Sequence, residues 1–126
     1  MAQGDIIVFD QFIVDRDNGL HDLDTHDFQM ALIDNTTALT NNTANPCWGA
    51  GGTTNLLTNQ VSTGGTSYVG PVALTGEALS EPVDGTFQWD ADDPAQWAQD
   101  GAGGPEDIYY AVVFNNSDAN NKCAFA

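Results

Sequence analysis

The chain has 126 residues, of which 41% are hydrophobic, and its 18 acidic side chains against two basic ones give a formal net charge of −16. This length fits one domain with a single core, and the apolar content argues against a wholly disordered chain. The charge argues against direct binding to nucleic acid or to an anionic membrane surface, because both need lysine and arginine side chains that this sequence lacks.

Charge of this size indicates strong self-repulsion, which salt weakens because the screening length falls from about 10 Å at 0.1 M ionic strength to about 3 Å at 1 M. The sequence therefore predicts a saline or marine source. No segment approaches the roughly 20 apolar residues of a membrane span, and the first residues are acidic where a secretory signal is basic. We expect the protein to be made and assembled in a cytoplasm.

The first apolar segment, residues 6–14, fits two kinds of secondary structure. Its apolar side chains can form one face of a helix, through Ile6, Phe9, Phe12 and Ile13. Its β-branched residues and its partial alternation also fit a strand. Periodicity alone leaves both alternatives open.

The second apolar segment is a clearer strand. Residues 15–19 carry the Asp, Asn and Gly side chains that are typical of a turn. Residues 27–34 then alternate, with Phe28, Met30 and Leu32 on one face. This pattern predicts a strand that buries one of its faces.

The middle of the chain is predicted to be a long loop followed by short strands. Residues 35–52 are rich in Asn, Thr and Gly, which favour irregular structure, and Trp48 is expected to anchor this loop. Short strands are predicted at residues 58–61, 68–74, 86–89 and 108–114. The last of these runs is apolar on both faces, which is typical of a central strand. The pattern predicts a mostly β single domain, an antiparallel β-sandwich or open barrel with long loops.

The C-terminal residues begin an alternation at Cys123 and Phe125 that no turn or polar tail closes. If the natural chain ends there, we expect a short strand at an open sheet edge, where it could pair with a neighbouring subunit. Cys123 and Cys47 are far apart in sequence and could form a disulfide. Synthesis in a reducing compartment favours free, buried thiols instead.

The sequence predicts no metal or cofactor site. Residues 15–19 begin like an EF-hand loop, but the glycine comes one position too early and His26 stands where the loop needs a bidentate carboxylate. A group of aspartates that follows a predicted strand could ligate an ion, although a solvated acidic loop is the simpler explanation. These residues are Asp90, Asp92, Asp93 and Asp100.

The sequence predicts no catalytic residues, and we expect the chain not to be an enzyme. His21 and His26 flank several aspartates, so a carboxylate-oriented base is conceivable. However, no serine lies in a Gly-x-Ser-x-Gly turn, and neither cysteine has a nucleophile signature. Both histidines are therefore predicted to be exposed loop residues. Together with Cys47 and Cys123, they also lack the spacing of a zinc site.

Four segments resemble, in the same order, segments of a family of small structural proteins of tailed bacteriophages. Residues 19–32, Gly-Leu-His-Asp-Leu-Asp-Thr-His-Asp-Phe-Gln-Met-Ala-Leu, resemble that family's Gly-x-His-Asp-Phe-x-x-Asp-x-Phe-Lys-Val-Ala-Leu. Residues 60–68, Gln-Val-Ser-Thr-Gly-Gly-Thr-Ser-Tyr, are similar to its Glu-Val-x-Gly-x-Gly-Tyr stretch. Residues 87–93, Phe-Gln-Trp-Asp-Ala-Asp-Asp, resemble its Phe-x-Ala-Asp-Asp strand end, and residues 110–115, Tyr-Ala-Val-Val-Phe-Asn, its last central strand. The chain differs at Gln29, where relatives often carry a base, and at Ala126, beyond which relatives usually continue through at least one more strand.

The resemblance implies a β-sandwich-like virion protein with a short N-terminal helix at about residues 5–16. It favours a capsid decoration, or cement, protein, in which a trimer binds the major capsid protein on the outside of an icosahedral phage head. The expected contacts are the N-terminal segment and the loops at residues 35–52 and 90–105. An exterior location also suits the charge, which packaged DNA would repel. The alternatives are a tail, neck or fibre subunit of the virion, and a calcium-dependent carbohydrate-binding module with Trp48 and Trp97 as an exposed platform.

Overall fold

The computed structural model describes residues 4–94, 97 and 104–126. The mostly β fold with an N-terminal helix that the sequence predicts is confirmed. None of the helices in the described ranges is long and apolar enough to cross a membrane. The elements are α1 (Asp10–Asp17), β1 (Phe28–Ile33), β2 (Pro46–Cys47), β3 (Thr54–Asn55), a 3₁₀ helix (Leu56–Asn59), β4 (Val72–Ala73), β5 (Ala78–Val83), β6 (Thr86–Asp90), β7 (Tyr110–Asn115) and β8 (Cys123–Phe125).

The largest sheet is antiparallel and has the strand order β4-β1-β7-β8. β1 and β7 pair along their whole length, from Phe28 opposite Asn115 to Ile33 opposite Tyr110. The predictions of a strand over residues 27–34 and of a central strand near the C-terminus are therefore confirmed. Two smaller sheets accompany this one: β2 pairs with β3 in parallel, and β5 pairs with β6 as an antiparallel hairpin.

The ambiguous first segment contains both of the structures that its sequence allows. Residues around Ile7 are extended, and α1 begins only at Asp10, with Phe9 as its extended N-cap residue. The helix is thus confirmed, but its predicted start at residue 5 is too early. The reason is that the residues before α1 form backbone hydrogen bonds with the C-terminal strand and the residue that follows it. Ile7 N–H, for example, donates to Ala126 O at 2.7 Å.

The same pairing covers the edge of β8. Ala126 N–H donates to Ile7 O at 3.0 Å and Phe9 N–H donates to Ala124 O at 3.2 Å. The prediction of an open sheet edge at the C-terminal strand is therefore wrong, because the N-terminal segment of the same chain occupies that edge.

Two of the predicted short strands also need correction. Of the strand predicted at residues 58–61, only the end pairs as expected: Gln60 forms an isolated antiparallel bridge with Ile33, and Val61 N–H donates to Leu32 O at 3.1 Å. Residues 56–59 form a 3₁₀ helix instead, in which the side chain of Asn55 accepts a hydrogen bond from Leu57 N–H at 3.1 Å and so caps the helical turn. The strand predicted at residues 68–74 is reduced to β4. It is preceded by Gly70, whose φ of +124° interrupts an extended strand, and by Pro71, which has no N–H to donate.

The two faces of the four-stranded sheet are covered to different extents. Paired residues of an antiparallel ladder share a face, so Ala31 and Val112 lie on one side, which we call the inner face. Both are fully buried, as is Phe114 on the same face. Trp48 stacks on Phe114 with a ring distance of 5.3 Å and an interplanar angle of 7°. The predicted role of Trp48 as an anchor for the loop is confirmed.

The opposite side, which we call the open face, is covered by the described residues mainly at its ends. Phe28 is fully buried beneath Trp89, at a ring distance of 5.4 Å. Leu32, towards the other end of β1, packs with Val61 and Tyr68. Between these two ends, the described residues form no second layer of comparable extent over the apolar side chains of the open face.

Candidate partner-binding site: a groove beneath a projecting hairpin

The main candidate site is a groove of about 1250 Å³ over the uncovered part of the open face. Its floor is the open face of β7 and β8, where Ala111 is exposed, Val113 is half-buried and Phe125 is half-buried. One wall is the N-terminal segment, in which Ile6 is 77% exposed. The other wall is strand β6.

The hairpin of β5 and β6 projects from the rest of the protein. Every residue of β5 is exposed, and in β6 only Trp89 is half-buried. The indole Nε1–H of Trp89 donates to Leu23 O at 2.9 Å, and its ring lies 5.6 Å from that of Phe125. A two-stranded hairpin is marginally stable alone in water, so this tryptophan is the main anchor that holds the hairpin over the sheet.

The inner side of the hairpin is apolar beyond that anchor. Phe87 lies two residues before Trp89 and therefore shares its face, yet it is 74% exposed. Across the groove, Tyr109 is 61% exposed. Together with Ile6, these side chains form a contiguous apolar surface that lines the groove. An exposed apolar patch of this kind is typical of an interaction site.

The groove also contains an unpaired strand edge. In the described part of the chain β6 pairs only with β5, so its second edge has no partner strand. Residues 86–91 all line the groove consecutively. Because a strand presents only alternate side chains to one face, consecutive lining residues mean that the edge itself faces the groove. An edge of this kind can hydrogen-bond to an added strand.

Two acidic residues contribute to the lining of the groove. Asp5 and Asp90 line it, and no lysine or arginine does. The two basic residues of the chain interact elsewhere, since Arg16 forms an ion pair with Asp17 at 3.1 Å and Lys122 donates to the side chain of Asn45. An apolar surface that also carries acidic residues favours an apolar ligand with positive charge.

The histidines are placed differently from the prediction. His21 is buried, which contradicts the predicted exposed position, and His26 is half-buried. The side-chain Nδ2 of Asn115 lies 3.2 Å from His21 Nδ1 and 2.9 Å from His26 Nδ1. The rings of Phe12 and Phe28 flank His21 at 5.0 Å and 6.2 Å. These contacts fasten the loop that follows α1 to the end of β7.

Burial lowers the pKa of His21 below its usual value, although the nearby carboxylate of Asp15 acts in the opposite direction. The neutral ring is therefore favoured in the folded protein. Within the described residues, neither His21 Nε2 nor Asp15 Oδ2 has a hydrogen-bond partner, and both atoms are buried. This pair lies in the packed interior, where its contacts support the fold.

The acidic residues at the end of β6 and just after it accept hydrogen bonds from neighbouring groups of the chain. The carboxylate of Asp92 accepts a hydrogen bond from the hydroxyl of Thr75 at 3.4 Å, and that of Asp90 accepts one from Ala91 N–H at 3.0 Å. Asp100, which was considered with them as a possible ion ligand, lies outside the described residues. Across residues 4–94, 97 and 104–126, no group of three or more His, Cys, Asp or Glu side chains is arranged to hold a metal ion.

The cysteines are free and buried, as predicted. The Sγ of Cys47 lies 2.8 Å from Gly49 O, where it donates a hydrogen bond. Burial raises the pKa of both Cys47 and Cys123. The two thiols are therefore protonated at neutral pH and pack as small apolar side chains.

The tryptophans do not form the exposed platform that a carbohydrate-binding module would use. Trp48 is only 7% exposed, so that part of the prediction is wrong. Trp97 is half-buried and packs edge-on against Tyr68 at 5.6 Å. Both side chains are engaged in packing within the chain.

Two of the segments predicted as contact regions contribute to the groove: the N-terminal segment forms one wall, and Asp90 and Ala91, the first residues of the predicted loop at residues 90–105, belong to the other. Residues 35–52 instead contribute Leu39 and Trp48 to the buried core, and much of the loop at residues 90–105 lies outside the described residues. The hairpin was missed, although Asp84-Gly85 between two short runs is a recognised hairpin signal. Gly85 has a φ of +79°, as such a turn requires.

The chain was compared with family models, with curated proteins and with solved structures. None of these comparisons finds a match. The function of the groove is therefore inferred from its apolar side chains, its strand edge and its charge.

Proposed function

We propose that this chain is a structural binding protein of a virion, specifically a capsid decoration protein that attaches to the major capsid protein on the outside of a phage head. The observation that carries this proposal is the exposed apolar groove beneath the hairpin. A soluble protein that leaves Ile6, Phe87 and Tyr109 uncovered on one surface has a region suited to burial against a partner. A cement protein needs such a surface, because it stabilises a shell by contact alone.

The segments that resemble phage structural proteins contribute to this surface. Residues 87–93 include most of β6, and residues 110–115 are β7, so two of the four segments form a wall and the floor of the groove. The segment at residues 19–32 contains β1, which supports the floor from the next strand. The resemblance and the groove therefore involve the same part of the molecule.

The charge supports an exterior location. A subunit with a net charge of −16 would be repelled by packaged DNA on the inner side of a shell. On the outer side the same charge keeps particles apart, and salt reduces repulsion between neighbouring subunits. We propose that the subunits assemble on the head as trimers.

Binding to heads tests this function directly. Purified protein is mixed with undecorated heads of the phage that encodes it, at the ionic strength of sea water, and co-sedimentation is measured. We expect saturable binding and a higher temperature of head disruption. Heads that already carry their full complement serve as the control and should take up no more. Absence of binding to undecorated heads would contradict the proposal, and binding seen only at the tail or neck in images of particles would favour a tail or neck subunit.

A further inference from the structure

We infer that the groove binds an extended segment of a partner protein, which adds to the hairpin as a third strand along β6. The segment has apolar side chains at alternate positions and lysine or arginine near its ends. This inference rests on the proposed function and specifies the chemistry of its main contact.

The unpaired edge of β6 supplies the backbone part of this recognition. Its second edge faces the groove, and its five residues extend over about 17 Å at about 3.4 Å per residue. Strand addition gives main-chain hydrogen bonds along such an edge. A segment of about five to seven extended residues matches this length.

The floor of the groove supplies the side-chain part. A strand beside β6 would lie over the open face, where Val8, Ala111 and Val113 present apolar surface. Phe87, in the β6 wall, also lines the groove. Only every second side chain of an added strand points towards this floor, so the matching segment alternates apolar and polar residues.

Charge selects a basic partner over a second copy of this chain. Asp90, at the end of β6, lines the groove, and neither Arg16 nor Lys122 does. A second copy would bring another net charge of −16 and, in its own hairpin, Glu81 and Asp84. A segment with lysine or arginine near its ends reduces the local repulsion instead.

Peptide binding tests the chemistry of the ligand. The probe is the acetylated and amidated peptide Lys-Val-Thr-Val-Thr-Val-Lys, titrated against the full-length natural protein at low salt. Its matched control has glutamate in place of both lysines. We expect the glutamate peptide to bind about fivefold or more weakly, since two favourable charge contacts are lost. Equal binding of the two peptides, or no binding of either, would overturn the inference.

Backbone methylation tests strand addition itself. Two further peptides carry N-methyl groups, one at the odd positions and one at the even positions, so that each blocks hydrogen bonding along one edge. We expect one of the two to lose binding and the other to retain it, because only one edge of the added strand pairs with β6. If both bind as well as the parent, the groove recognises side chains alone and strand addition is wrong.

Variants of the protein locate the peptide. Phe87→Ser should weaken binding about tenfold or more through lost apolar contact. Val69→Ser, at an apolar residue that is 81% exposed and does not line the groove, should leave it unchanged. Asp90→Asn should weaken binding about twofold to fivefold, whereas Asp84→Asn in the hairpin turn should not. Equal effects within either matched pair would place the peptide elsewhere and overturn the inference.

Two other occupants have distinct outcomes. Self-association that is lost in Phe87→Ser, with no peptide binding, would assign the groove to a second copy. If another segment of the same chain occupied the groove, peptide binding would also be prevented. An experimental structure of the full-length natural protein would show that segment in the groove. Either result overturns the inference but leaves the proposed function intact if the protein still binds undecorated heads. Conversely, peptide binding without head binding would refute the proposed function alone.

Discussion

Both the inner and the open face of the four-stranded sheet carry apolar side chains, but the two faces differ in what covers them. On the inner face, Phe114 is 1% exposed and stacks on Trp48. On the open side, Phe87 of the hairpin is 74% exposed and lines a groove. Apolar side chains that the chain covers itself stabilise the fold, whereas those that stay exposed are the ones we propose to contact a partner.

The largest expected effect is on the inner face. Phe114→Ala removes a fully buried ring and its stacking with Trp48, and should lower the free energy of unfolding by about 3–5 kcal/mol. Urea denaturation followed by tryptophan fluorescence measures this change. A loss below about 1 kcal/mol would mean that the inner face is not the main core.

The next largest effect concerns the anchor between the two regions. Trp89→Ala removes the ring contacts to Phe28 and Phe125 and the hydrogen bond to Leu23 O, and should cost about 2 kcal/mol because the ring is only half-buried. Amide hydrogen exchange should become fast in β5 and β6 and stay slow in β1 and β7. Uniform acceleration throughout the sheet would show that the hairpin is not a separate unit.

A smaller effect is expected from pH at the covered end of the open face. Burial lowers the pKa of His21 in the folded protein below its value of 6.5 in an unfolded chain. The neutral ring therefore contributes stability that is complete above the unfolded pKa and is lost as pH falls through the lower folded pKa. Asp15, Asp118, His26 and Lys122 act on this ring by charge, and Asp15 and Asp118 favour its protonation.

The measurement is the free energy of unfolding between about pH 7.5 and about pH 5.5, in the wild-type protein and in His21→Gln. The wild-type protein should lose stability towards the lower pH, and the variant should lose less over the same interval. An equal loss in both proteins would mean that other groups cause the pH dependence.

The smallest effect is the counterpart of the first prediction. Phe87→Ala removes a phenylalanine that is 74% exposed, so the free energy of unfolding should change by no more than about 0.5 kcal/mol. Thermal and urea unfolding of the two phenylalanine variants, measured together, give the contrast between the inner face of the sheet and the hairpin. A large loss in Phe87→Ala would show that the hairpin contributes to the core of the isolated chain.

The sequence allowed the main strands to be predicted but not the groove. Alternation identified β1, and a long apolar run identified β7 as a central strand. That same run does not show which of its faces is covered, because Val112 and Val113 are chemically alike, yet the first is fully buried and the second is half-buried. His21 was expected in solvent because its partner, Asn115, is remote in sequence.

The central claim is that the groove beneath the hairpin is the surface that contacts the partner. Amide hydrogen exchange of the protein, free and bound to undecorated heads, tests this claim most directly. We predict that binding slows amide exchange in β6 and in residues 5–8, with little change in the paired strands β1 and β7. Slower exchange confined to other segments, such as α1, with β6 unchanged, would contradict the account.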